Sequence, residues 1–276
     1  MGLFLYCLTY YFLAGLATVV GYHRGLTHRA FRMRKWFEYL VITLGLPAGT
    51  PVQWVGNHRF HHIHTDDEED PHSPVVRGFW YAHNGWYYDT RQVWVCILYA
   101  LAGPLRILVD SLFRARTNQE HVHLARDIAA DPYYRFISRP GPYFMAMMLH
   151  ILIPYSLVFW GWGWSGVVAL WITSVLVFNL GDSIDSLAHL FGSQPYKKAD
   201  HAKNNPWLAG LTFGGGWHAD HHQFPTSAQL GLQKGQIDLA WWVIKGLKKI
   251  GLADDVKTIP KDQVQRKLKP ISNPNP

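Results

Sequence analysis

The sequence predicts an all-α integral membrane protein with about three transmembrane helices, interfacial helices beside them, and a cytoplasmic helical cap that holds a metal site. Three observations carry this expectation. Apolar stretches alternate with polar regions rich in His, Arg and Lys, so mean hydropathy is only −0.06 although 49% of the residues are hydrophobic. Three histidine clusters, His23-Arg-Gly-Leu-Thr-His28, His58-Arg-Phe-His61-His62 and His218-Ala-Asp-His221-His222, each lie beside such a stretch, and a lone His189 ends another. These nine imidazoles are too many for one ion and suit two. Cys7 and Cys96 both sit in apolar sequence, which excludes a disulfide framework and a cysteine metal site.

The elements follow in order from one constraint, that ligands of a shared site lie on one side of the bilayer. Residues 3–21 have no charge ahead of them and no small-residue cleavage site, so they read as a retained transmembrane helix and not a signal peptide. Residues 36–54 alone separate the first two clusters and therefore do not span; Glu38, Pro47, Gly49 and Pro51 fit an interfacial or re-entrant piece. Between His62 and His189 an even number of crossings is needed, which 143–160 and 166–184 supply as a hairpin. Residues 93–113, interrupted by Gly103-Pro104 and carrying Arg106 and Asp110, are then interfacial. The hairpin turn Gly161-Trp-Gly-Trp-Ser165 is uncharged and presents tryptophans to a headgroup layer, whereas Arg24, Arg29, Arg32, Arg34 and Lys35 crowd the histidine side. By the positive-inside rule the site faces the cytoplasm. The membrane unit is expected over 1–256, with a polar, disordered tail over 257–276. The formal charge of +7 suits an anionic leaflet, and with no continuous basic stripe it does not indicate nucleic acid.

His58, His61 and His62 stand at i, i+3 and i+4, which places three rings on one helical face, and His218, His221 and His222 repeat the spacing. His23 and His28, five apart, do not share a face of a regular helix. They fit a helix that ends or bends, with one ligand on its last turn and one beyond. Asp185, one turn before His189, can hold a metal-bound water, ligate directly or orient His189. His64, His72 and His83 read as outer or surface residues, His150 as a packing residue, and the run Asp66-Asp67-Glu68-Glu69-Asp70 as a solvated loop. A hydrolytic zinc motif is absent. Two irons with many imidazoles suit reductive activation of dioxygen and attack on an unactivated C–H bond of a lipid-soluble substrate; desaturation and hydroxylation of a lipid or hydrocarbon share that first hydrogen removal. A metal or haem carrier without catalysis would place polar ligands inside the spans, where His150 is almost alone.

The phrases Gly21-Tyr-His-Arg-Gly-Leu-Thr-His28, Trp54-Val-Gly-Asn-His-Arg-Phe-His-His62, Asp70-Pro-His72 with Gly78-Phe-Trp80, Ala188-His189-Leu-Phe-Gly192 and Gly216-Trp-His-Ala-Asp-His-His-Gln-Phe-Pro225 resemble the membrane fatty acid desaturases, in particular the delta-9 acyl-lipid and acyl-CoA group. The resemblance implies one iron on His23, His28, His58, His62 and His221 and another on His61, His189, His218 and His222. It also implies O2-dependent insertion of a cis double bond, expected at delta-9, into a lipid-linked or thioester-linked acyl chain lying in a kinked tunnel. Electrons would come from a separate carrier such as a ferredoxin or a b-type cytochrome. Gly56-Asn57 stands where acyl-CoA members carry Arg-Asp, which favours a lipid-linked chain, and Asp185 stands where the family commonly has Asn. Relative to shorter members, residues 90–117 look like an insertion, and the chain begins where the family's second span would start, so the first span is either dispensable or truncated.

Overall fold

The computed structural model describes residues 1–113, 121–198 and 200–269. Within them the regular structure is helical, apart from one short antiparallel pairing of Arg32–Met33 with Ala253–Asp254 and isolated bridges. Two helices, Gly2–Thr27 and Pro140–Leu190, are long and apolar enough to cross a membrane, where about 20 apolar residues suffice.

The first begins as an α-helix over Gly2–Leu16 and changes winding to a π-helix over Ala17–Thr27. One side of the π segment packs Tyr22 and Leu26 against Val52 and Val55 of the helix that carries the second histidine cluster. Its other side packs Val19 and Val20 against Phe213, Ala240 and Ile244 of the cap. The first cluster is thereby wedged between two parts of the chain remote in sequence.

Residues 36–54 form no continuous helix. Lys35–Leu44 ends at Gly45, a 3-10 turn follows over Leu46–Ala48, and Pro51–His64 restarts with Pro51 in its first turn and the Thr50 hydroxyl accepting from the Gln53 N–H at 3.2 Å. A second break falls at Gly103-Pro104, where Val93–Leu101 and the following helix from Pro104 meet at a bend of 118°. Gly103 has φ +53°, and a Cβ there would lie 2.8 Å from the Trp171 indole, so glycine permits both the turn and the close approach.

Pro140–Leu190 is helical by its hydrogen bonds over 51 residues, but Gly163 inside it has φ 61° and ψ −148°. Tyr155 and Ser174, which a straight helix would hold about 28 Å apart, share a hydrogen bond of 3.0 Å. The element is therefore a hairpin folded at Gly163, inside the expected tryptophan-rich turn.

The cap is built from the short helices Pro206–Leu211 and His218–Gln223, then Leu239–Lys249 capped by Asp238, then Lys261–Lys267. This last helix corrects the expectation of a disordered tail over 257–276. Val264 is buried with Tyr196, Ala219 and Phe224, and Leu268 bridges to Tyr196, because one apolar face in a polar stretch suffices to dock it. Residues 270–276 of that expectation, and residues 114–117 of the expected insertion, lie outside the described residues.

Candidate metal centre

The nine histidines separate into two sets whose ligand nitrogens converge: His23, His28, His58, His62 and His221 in one, and His61, His189, His218 and His222 in the other. The π winding explains the first pair. Five residues subtend about 140° around an α-helix, whereas the i to i+5 pattern of a π-helix makes them neighbours one turn apart. His28 is the cap residue just beyond Thr27, and its N–H bonds to the His23 carbonyl at 3.1 Å. The expected arrangement, one ligand on the last turn and one beyond it, is present, with a winding that periodicity did not signal.

In the second cluster the i, i+3, i+4 spacing on Pro51–His64 does more than collect rings on one face. His58 and His62 turn to the first set and His61 to the second, so this helix lies between the two. His218–Gln223 does the same from the opposite side, with His221 in the first set and His218 and His222 in the second. His189 joins from the last turn of the hairpin.

The facing Nε2 atoms are closely spaced. In the first set, His23 and His221 are 3.0 Å apart, His28 and His58 3.0 Å, His58 and His62 3.1 Å, and His62 and His221 2.9 Å. In the second, His189 and His218 are 2.9 Å apart, His218 and His222 3.0 Å, and His61 and His222 3.4 Å. Ligands at right angles, each about 2.1 Å from one transition-metal ion, would stand about 3.0 Å apart.

Protonation agrees with this spacing. Burial holds the imidazoles of His28, His61, His62, His218, His221 and His222 well below their ordinary range, and that of His58 at about 3, so these rings are neutral at neutral pH. Tautomers are fixed from behind. His61 donates through Nδ1 to Asp70 at 3.0 Å, and His189 donates through Nδ1 to Asp66 at 2.9 Å. The Thr65 hydroxyl, already donating to the His61 carbonyl, can only accept from His222 Nδ1 at 3.4 Å. With Nδ1 protonated, Nε2 of the neutral His61 and His222 rings carries a lone pair, and lone pairs converging at such distances repel unless a cation lies among them. The donor set therefore fits first-row transition metals that favour imidazole.

Asp66 and Asp70 correct the reading of the acidic run as solvated loop. Asp70 is fully buried and also accepts from the N–H groups of Asp66 and His72. Burial works to raise the Asp66 carboxyl, but hydrogen bonds from His189, Ser73 and the His201 N–H outweigh it and hold it at about 2. Asp67 and Glu69 match the solvated reading: both are exposed, and each pairs with His64 at the surface. Composition could not separate the two kinds of acid. Position could have, since Asp66 and Asp70 bracket the turn directly after His61-His62.

Of the remaining histidines, His72 is buried with its ring 4.4 Å from that of His61, and His83 is buried between Ser186 and Asn179. His150 donates to the Ala146 carbonyl of its own helix and also lines a cavity. That cavity, about 920 Å³, has His23, His58, His218 and Asp185 in its wall at the metal end and passes between the N-terminal helix and the hairpin to Gly2, Leu157 and Trp162. The structure thus places Asp185 beside the second set without bringing it into either. Most other lining residues are apolar, and the volume lies in the range of small-molecule sites.

Comparison with known proteins gives a consistent result. A family model described as fatty acid desaturase matches residues 1–246. The chain is 36% identical over 263 residues to a delta-9 acyl-lipid desaturase 1 of Arabidopsis thaliana, covering 94% of this chain and 76% of that protein. It is 34% identical over 259 residues to an sn-1 stearoyl-lipid 9-desaturase of Anabaena variabilis, covering 93% and 84%. It is 35% identical over 262 residues to a chloroplastic palmitoyl-monogalactosyldiacylglycerol delta-7 desaturase of Arabidopsis thaliana, covering 93% of this chain and 62% of that relative. A second chloroplastic Arabidopsis relative, a probable lipid desaturase, is spanned to 64%, so the chain spans less than two thirds of the length of both chloroplastic proteins.

Proposed function

This chain belongs to the fatty acid desaturase family, and from that premise we propose that it is a membrane-bound, oxygen-dependent fatty acyl desaturase acting on a lipid-linked chain. The observation that carries the reading is the opening of two convergent imidazole sets onto the end of a long apolar cavity. His23, His28, His58, His62 and His221 would hold one iron, and His61, His189, His218 and His222 the other. With O2, two electrons from a separate carrier such as a ferredoxin or b-type cytochrome, and two protons, the bound irons would supply the oxidising power that converts adjacent CH2 groups to a cis double bond and O2 to two waters.

The protein's own contribution is positional. Asp66 and Asp70 keep the proton of His189 and His61 on Nδ1, leaving Nε2 free to ligate. Asp185, which lines the cavity with His218, would orient a water or the neighbouring ligand. The apolar wall holds an alkyl chain extended and keeps bulk water away from the reacting carbons. Three crossings, by the N-terminal helix and the two arms of the hairpin, would put the centre on the cytoplasmic side. This orientation is supported by the exposed Arg29, Arg32, Arg34 and Lys35 on that side. Gly56-Asn57 before the second cluster favours a lipid-linked over a CoA-linked chain, and relatives named for position 9 make delta-9 the expected site.

Expression in a desaturase-deficient host, with iron and an electron donor supplied, tests the proposal. Mass spectrometry of the fatty acids should show a new monounsaturated chain with its double bond at carbon 9. A hydroxylated product, or no new product from an iron-loaded protein, would overturn it.

A further inference from the structure

Arg24 lies inside the π-helix, between His23 and the rest of the first cluster, and its side chain points away from the metal centre. It is 1% exposed and makes a two-pronged ion pair with Asp238, Nη1 to Oδ2 at 2.9 Å and Nη2 to Oδ1 at 2.8 Å, with a further bond from Nη1 to the Ala228 carbonyl at 2.8 Å. Asp238 is itself immobilised. Its carboxylate accepts from the N–H of Leu230 at 2.7 Å, Gly231 at 3.3 Å and Trp241 at 3.0 Å. The pair also lies against the approach to the third cluster, since a Cβ on Gly214 would fall 2.4 Å from Asp238 Oδ1.

π-Helices are rare and normally last a single turn, yet this one runs for 11 residues. Rewinding it to α would carry His23 and His28 about 140° apart and swing Arg24 off Asp238 in the same motion. Asp238 is anchored to the backbone of a separate segment and cannot follow. We propose that the Arg24–Asp238 pair is the lock that holds the π register, and so keeps His23 and His28 on one metal and against His221 of the third cluster. Both residues are positioning residues: neither is among the ligand sets.

The inference takes from the proposed function only that these histidines share a metal, so its test needs no fatty acid assay. Asp238→Asn, which removes the charge and keeps one of the two acceptor oxygens, and Arg24→Met are purified in detergent, loaded anaerobically with Fe(II), and compared with the unaltered chain. The expected result is a drop of about 10–100-fold in iron affinity at the His23/His28 set, with the His61/His189 set still loading, so that iron per chain falls by about half at a free iron concentration that fills the intact set but not the weakened one. Arg24→Lys, which keeps the charge but not the fork, should recover part of the loss. Full iron at both sets, or equal loss from both in a protein that keeps its helical content, would overturn the lock. If Arg24→Met does not fold, Arg24→Met/Asp238→Leu removes both charges and strands neither, and the same expectation applies. Hydrogen exchange of the iron-free chain gives a second readout: residues 17–28 should exchange faster in Asp238→Asn while residues 51–64 do not, and no difference there would overturn the lock. If the unaltered chain takes up no iron at all, the desaturase reading fails, and the exchange measurement still decides the lock.

Discussion

At the scale of single residues the centre is a set of neutral imidazoles held by what stands behind them. Asp66→Ala should cost about 10–100-fold in metal affinity at the set that includes His189, read by equilibrium dialysis, whereas Asp67→Ala in the same acidic run should change little. Equal effects would mean that the buried hydrogen bond to His189 does nothing that a surface acid does not. Protonation gives a second expectation. His58 is held at about 3, chiefly by burial, while an imidazole in the unfolded chain titrates near about 6.5. Between those values the unfolded chain binds a proton that the native chain does not. The stability of the metal-free protein is therefore full above the upper value and falls as pH drops, by about 1.4 kcal/mol per pH unit for each such ring. Denaturant titrations at pH 7 and pH 5 should show a clear decrease; an unchanged midpoint would contradict the neutral, buried state of the rings. All nine candidate ligands were legible in the sequence because imidazole spacing within a cluster is local. Asp66, Asp70 and Asp238 were not, since each acts on a residue brought near only by folding, and Asp238 lies 214 positions from Arg24.

At the scale of elements, the legible features were those with a local steric cause. Gly103-Pro104 and the stretch from Pro47 to Pro51 announced their breaks, and the tryptophan-rich turn announced the hairpin. The π segment was invisible because its residues, Ala-Thr-Val-Val-Gly-Tyr, carry no signal distinguishing i+5 from i+4 bonding. Tyr22 and Leu26 pack on one side of it and Val19 and Val20 on the other, contacts with segments remote in sequence that sit alongside the Arg24–Asp238 pair proposed to hold its register. The final helix was missed for a related reason, as Lys261–Lys267 is polar on every side but that of Val264. The hairpin turn can be tested directly. Gly163 combines φ 61° with ψ −148°, a region open to almost no other residue. Gly163→Ala should destabilise the fold by about 1–3 kcal/mol, although a methyl group there would meet nothing within 4 Å. Thermal unfolding in detergent measures it, and an unchanged transition would show that the turn relaxes at no cost.

For the whole molecule, the histidine-bearing cap and the apolar cavity are one construction, because helices that carry the converging histidines also form the cavity wall. Leu157 lies in that wall toward the hairpin turn, remote from His218. Leu157→Trp should shorten the space without touching the centre, shifting the products in the expression host toward shorter acyl chains; an unaltered chain-length profile would rule this out as the space the substrate fills. The sequence could predict that such a space exists but not its depth, which depends on how Gly2, Leu157 and Trp162 meet across the molecule. The carboxylates behind the rings have a last consequence. Nine imidazole donors would cancel none of the charge of two bound dications, and Asp66 and Asp70, hydrogen-bonded to His189 and His61, bring two carboxylates up directly behind rings of the second set. Behind the first set stands Arg24, whose charge Asp238 cancels. Two ions of the same element held there would sit in a lopsided field, and the one nearer the acids would give up an electron more readily than its neighbour.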